Sequence, residues 1–114
     1  MGVQDQLRID VRRETDRVVL SLIGELDMAT AEMLQQAIEG AQESEPLVVL
    51  DLQQLQFIDS TGLRCVLAGL ELCRERGQEL AITPGSQQVQ RLLSVTGVAA
   101  HLRTIAAGDE ILAT

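Results

Sequence analysis

The sequence predicts one α/β domain: a mixed four- to five-stranded sheet with helices packed on it, in the order β-β-α-β-α-β-α-α. Three observations carry that expectation. Two strand-like stretches, 7–11 and 17–23, follow each other across a short polar turn. Later apolar runs of strand length alternate with runs of helical period, the arrangement that builds parallel crossover units. The chain has 114 residues, 46% of them hydrophobic, which suits one ordinary domain with a core of its own. The domain is expected over residues 1–114, with its core over about 7–112.

Leu7, Ile9 and Val11 alternate with Arg8, Asp10 and Arg12, the pattern of a half-buried strand. Glu14-Thr15-Asp16 is a turn. Arg17 to Ile23 is richer in Val, Leu and Ile, so it predicts a more buried strand pairing with the first as a hairpin. Gly24-Glu25-Leu26-Asp27 ends it. Residues 29–44 predict a helix, because Leu34, Ala37, Ile38 and Ala41 share one face and Pro46 stops the run. Leu47-Val48-Val49-Leu50 is a continuous apolar run, as in a strand covered on both sides.

Residues 53–58 read as a connection, and 63–76 as a strong helix closed by Gly77. Glu79 to Thr83 is a further strand and Pro84-Gly85 a turn. Ser86 then caps a helix running to Val95, with Val89, Leu92 and Leu93 inward and Gly97 at its end. Leu102 to Ile105 predicts a short edge strand. Asp109 caps a final short helix carrying Ile111 and Leu112.

Composition narrows the function classes. The net charge is −8, so phosphate backbones and anionic membrane surfaces are repelled, and neither nucleic acid nor membrane is an expected partner. There is no Lys, which removes a phosphate-loop or Schiff-base lysine. His101 is the only histidine and cannot make a metal site alone; it reads as structural. Asp27, Asp51 and Asp59 read as solvated turn acids near strand ends. Cys65 and Cys73 are eight apart on a predicted helix, so their separation along the axis is about 12 Å, too far for a disulfide. Free thiols, no secretory leader pattern and no apolar run of membrane-spanning length together predict a soluble, cytoplasmic protein. No glycine-rich phosphate loop or catalytic pair is present, so an enzyme is not expected, and no cofactor or metal either.

The informative segment is Phe57-Ile58-Asp59-Ser60-Thr61-Gly62-Leu63, at a helix start. Free backbone N–H groups there favour negative charge, and a phosphate on Ser60 is stabilised by them. Gly62 has no side chain, so a partner's phosphate-bearing loop can approach closely. Taken alone, Asp, Ser and Thr before an apolar helix are also ordinary caps. Along the helix, Leu63, Val66, Leu67, Leu70 and Cys73 form a core face, while Cys65, Ala68, Gly69 and Leu72 form a second apolar stripe. That stripe is either sandwiched inside the domain or docks a partner.

Three motifs together resemble one family. Gly24-Glu25-Leu26-Asp27, then Asp59-Ser60-Thr61-Gly62-Leu63, then Val89-x-Arg91-Leu92-Leu93-x-x-Thr96-Gly97 look like the STAS family, and more closely its single-domain anti-sigma factor antagonists. The resemblance spans residues from about Leu7 to Leu112. It implies that Ser60 is phosphorylated by an ATP- or ADP-bound partner that is both serine kinase and anti-sigma factor. Thr61 is the neighbouring, lesser acceptor. It further implies binding to that partner when Ser60 is unmodified, release when it is phosphorylated, and reset by a serine phosphatase, as a monomer or weak dimer.

Asp27 resembles the family's acidic position beside the phosphorylation site, and Asp59 is expected to cap the helix or orient the loop. Thr61, Gly62, Leu63 and Leu72 complete the expected partner-binding set. Arg64 departs from the family pattern, where the best-known antagonists carry Gly; it changes which kinase fits and can pair with the phosphate. The alternative function within the family is a constitutive subunit docking on a transporter ATPase or a signalling scaffold.

Overall fold

Two apolar strands decide where the centre of the molecule lies. In the computed structural model, which describes residues 6–41 and 45–105 without the side chains of residues 99 and 101, these strands are β2 (Arg17–Leu26) and β3 (Leu47–Asp51). Successive side chains of a strand point to opposite faces, so only an apolar run without alternation can be buried on both. Val18, Leu20, Val48 and Leu50 enter the larger core cluster, while Val19 and Val49 enter a second one with Leu47, Ala81 and Ile105.

The remaining elements follow from that centre. β1 (Leu7–Arg13) pairs antiparallel with β2, Leu7 opposite Gly24 and Arg13 opposite Val18. β3 lies parallel to the first half of β2, and β5 (Glu79–Ile82) lies parallel to β3. β6 (Arg103–Thr104) closes the far edge beside β5. β4 (Leu55–Ile58) runs parallel to the second half of β2, so the described sheet has six strands. α1 (Ala31–Gly40), α2 (Ser60–Glu75) and α3 (Gln87–Val95) pack on one face of it through Leu34 and Ile38, Leu63, Val66 and Leu70, and Val89 and Leu93. A short 3-10 turn at Val98–His101 leads into β6.

The sheet therefore carries one strand more than the sequence reading allowed. Residues 53–58 were expected as a connection, and the last four of them are β4. Four steps along the chain from Asp51 to Leu55 match three from Ser21 to Gly24, and two from Leu55 to Phe57 match one from Gly24 to Glu25. The first extra residue falls in the turn between β3 and β4, and the second is a bulge inside β4, which erases the alternation by which a strand is recognised. β2 likewise runs to Leu26 rather than Ile23, because Gly24, at φ 116°, carries the chain through a conformation open to glycine. A Cβ at Gly24 would also lie 2.1 Å from the carbonyl oxygen of Gln6. α2 begins at Ser60, not Leu63, and α1 at Ala31, not Ala29. The expected helix around Asp109, Ile111 and Leu112 lies outside the described residues.

At the end of the sheet where the parallel strands begin, polar groups are tied to the backbone. Gln78, just before β5, is buried and donates from Nε2 to the carbonyl oxygen of Glu45 at 2.7 Å and to that of Ala41 at 3.4 Å. Arg13 Nη1 donates to the buried carboxylate of Glu45 at 3.0 Å. These bonds join the ends of β1, α1 and β5. Cys65 and Cys73 are free thiols.

Candidate functional site

The opposite end of the sheet, where β2 and β4 finish side by side, holds the candidate site. Leu26 lies opposite Ile58 across the ladder, so the two following residues, Asp27 and Asp59, leave the sheet next to each other. The Asp59 N–H donates to the carbonyl oxygen of Leu26 at 3.2 Å, extending the contact one residue past the strand. From there Asp59 caps α2: its Oδ1 accepts the Gly62 N–H at 2.8 Å, and its carbonyl accepts the Leu63 N–H at 2.9 Å. The cap satisfies one of the N–H groups that a helix start leaves without an intrahelical partner.

Ser60 is the first residue of α2 and is exposed. The capped turn around it fixes where its backbone lies. Negative charge is favoured at this position by the helix dipole and the first-turn amides. Thr61 is half-buried and Arg64 exposed. Arg64 follows Ser60 by four residues, which brings the two onto one side of the helix.

Asp27 belongs to a tight turn. Its N–H donates to the Thr30 hydroxyl oxygen at 2.9 Å, and that hydroxyl donates to the carbonyl oxygen of Glu25, also at 2.9 Å. Asp27 Oδ1 accepts the Ala29 N–H at 3.0 Å. The side chain of Thr30 is buried and makes no helix-capping bond, so its hydroxyl serves the turn instead of α1. Met28, in the middle of this turn, is 78% exposed. Phe57, just before the end of β4, is 47% exposed. Large apolar side chains left in water beside a polar group are the usual composition of a protein contact.

Among the described residues, no group of three or more His, Cys, Asp or Glu is placed to hold a metal ion. No described helix is long and apolar enough to cross a membrane. Burial pushes both thiols, Cys65 and Cys73, above the ordinary cysteine range, which leaves them protonated and poorly nucleophilic near neutral pH.

The family described as "Mlab, STAS domain" matches residues 9–105, most of the chain. The chain belongs to the STAS family. A protein of Paenibacillus polymyxa named anti-sigma F factor antagonist is 32% identical over 94 residues, covering 81% of this chain and 80% of its own. An anti-sigma-B factor antagonist of Listeria monocytogenes is 33% identical over 87 residues, covering 75% and 76%. Among solved structures, an anti-sigma factor antagonist from Mycobacterium paratuberculosis superposes with a TM-score of 0.80 at 26% identity, over 95% of this chain and 92% of that one. The unphosphorylated form of SpoIIAA, at 20% identity and a TM-score of 0.74 over 88% and 90%, shares the fold.

The STAS fold brings Asp27, Asp59 and Ser60 to one end of one strand pair, although the sequence separates the first two by more than thirty residues. Gly62 has a different role from the one expected. It is buried, and a Cβ there would lie 2.5 Å from the carbonyl oxygen of Leu26 and 2.9 Å from its Cγ. The missing side chain admits the chain's own β2 and not a visiting loop. Leu63 is buried in the core as well, so it shapes the site from beneath and offers no surface to a partner. Leu72 lies farther down α2, half-buried. Two residues of the site were not foreseen: Met28 and Thr30. The spacing of Asp27 and Thr30 is a signal for a side-chain-closed turn. Nothing local marks Met28, because exposure is decided by what the fold leaves uncovered.

Proposed function

We propose that this STAS domain is an anti-sigma factor antagonist whose affinity for its anti-sigma partner is set by phosphorylation of Ser60. The observation that carries the reading is the position of Ser60: exposed, first in α2, on a turn locked by Asp59 and Gly62. The printed names of the relatives support the partner class. In this mechanism the unmodified domain docks on a nucleotide-bound anti-sigma factor kinase and frees the sigma factor. Asp27 and Met28, together with Thr61 and Arg64, surround the hydroxyl in the contact. The kinase transfers a phosphoryl group from ATP to Ser60 Oγ; the hydroxyl proton is lost and ADP leaves. A serine phosphatase restores the hydroxyl by hydrolysis.

The phosphate adds about −1.5 to −2 charges next to the Asp27 and Asp59 carboxylates in a surface that is otherwise partly apolar. It remains compatible with the fold, because the helix start favours an anion and Arg64 lies one turn on. Its effect therefore falls on binding. About 3 kcal/mol of lost affinity is roughly a hundredfold, within what a doubly charged group in a partly desolvated contact supplies.

The test is calorimetric titration of the cognate anti-sigma factor with ADP present. Ser60→Ala is expected to bind like wild type and to resist phosphorylation and release. Ser60→Asp is expected to bind roughly a hundredfold more weakly. Equal binding by both variants, with no phosphate found on residue 60 after incubation with ATP, overturns the proposal.

A further inference from the structure

The second apolar stripe of α2 is neither wholly inside nor wholly free. Cys65 and Gly69 are spent against α1: the Cys65 thiol donates to the Ala31 carbonyl oxygen at 3.2 Å, and a Cβ at Gly69 would lie 2.6 Å from Ile38 Cδ1. The two helices run side by side in the same direction, since Arg76 Nη1 near the other end donates to the Glu39 carbonyl oxygen at 3.4 Å. Because Gly69 lets the backbones come close, Ala68 and Leu72 face an open groove along the seam. Its volume is about 370 Å³, and Ile38, Cys65 and Gly69 form its floor.

The rim of this groove is acidic. Glu39 of α1 and Glu71 and Glu75 of α2 line it. The Glu39 carboxylate accepts from the neutral Gln35 amide at 3.2 Å, and among the described residues no ion pair engages Glu39, Glu71 or Glu75. Glu71 and Glu75 are four apart, where like charges repel along a helix. Arg76, on the seam, donates to a backbone carbonyl. An apolar floor between helices, edged by three carboxylates that form no ion pair among the described residues, is complementary to an amphipathic helix with basic flanks.

We infer that the α1–α2 groove is a second docking surface, which takes a basic amphipathic helix of the partner through its apolar stripe. The inference rests on the reading of the domain as a partner-binding module, but not on Ser60 being the switch. The groove lies along the flank of α2, from Cys65 to Glu75, about 15 Å of helix. Contact here adds affinity and orients the partner, independently of the state of Ser60 at the helix start.

The probe is a synthetic helical peptide with leucines at i, i+3, i+4 and i+7 flanked by arginines, titrated into the ¹⁵N-labelled full chain. Amide shifts are expected to concentrate on residues 35–39 and 65–75. Ala68→Arg, which fills the groove from an exposed position, and the double variant Glu71→Lys/Glu75→Lys are each expected to weaken binding about tenfold or more. A peptide with glutamates in place of the arginines is expected not to bind. Absence of shifts, shifts centred elsewhere, or equal binding by a peptide with serines for leucines overturns the inference. The same titration on Ser60→Ala and Ser60→Asp separates the two proposals: the peptide is expected to bind both alike, and a failed switch leaves that result untouched.

Discussion

The two ends of the sheet spend their polar groups differently. Where the parallel strands begin, the Gln78 amide and the Arg13–Glu45 pair are consumed in holding β1, α1 and β5 together. Where β2 and β4 finish, Thr30 and Asp59 satisfy the backbone around the candidate site, and Ser60 is exposed. A buried polar group without its partner costs stability, whereas an exposed one costs almost nothing. The difference separates residues that hold the molecule together from residues free to be chemically changed.

Substitutions at the two ends test that separation, and the largest effect is expected from a residue with no side chain at all. Gly62→Ala forces a methyl group against the Leu26 carbonyl and is expected to lower unfolding free energy by about 3 kcal/mol in urea titrations. A loss under half a kilocalorie would show that α2 can shift away from β2 freely. At the other end, Gln78→Ala removes two bonds to buried carbonyls and is expected to cost about 2 kcal/mol. Asp59→Ala removes the cap of α2 and is expected to cost about 1 kcal/mol, with faster amide exchange in the first turn of the helix.

Ser60→Ala is expected to change stability by no more than about 0.5 kcal/mol, whatever it does to partner binding. A loss as large as that of Asp59→Ala would place Ser60 with the structural polar groups and remove the contrast. The smallest signal is chemical. The thiolate is the reacting form, and burial raises the Cys65 thiol, so its alkylation rate is expected to keep rising with pH beyond the range where an ordinary thiol levels off, at about 8.5. A plateau at or below that pH would mean that the seam between α1 and α2 opens readily.

Periodicity made most of this fold legible. The run Leu47–Leu50 and the helical faces of Leu34 and Ile38 or Val89 and Leu93 survive in the structure because the buried face is the one the pattern marks, whereas the alternation of the first strand holds for Leu7 and Ile9 and fails at Val11, which is 53% exposed. The strand Leu55–Ile58 escaped because a bulge between Leu55 and Phe57 puts Leu55 and Ile58 inside and both residues between them outside. The last turn of β2 escaped because Gly24 reads as a stop and is used as a bend. At the site, the motif around Ser60 marked the helix start and the cap. It did not show that Gly62 faces inward, since that depends on Leu26, a residue distant in sequence. The second stripe of α2 was ambiguous for the same reason: only its packing on α1 separates Cys65 and Gly69 from Ala68 and Leu72.

The ten residues of β2 act as a measuring rod for the whole arrangement. One half is read by β3 and the other by β4, and both readings must agree before Asp27 and Asp59 arrive together. One surplus residue lies in the turn between β3 and β4 and a second in the bulge inside β4, and neither disturbs the pairing on either side. Segments on either side of the rod can thus change length while the distance from sheet to serine stays constant. Removing a single residue from within β2 would do the opposite: it would turn the apolar side chains of half the strand toward the wrong face and carry the acidic residue away from its neighbour.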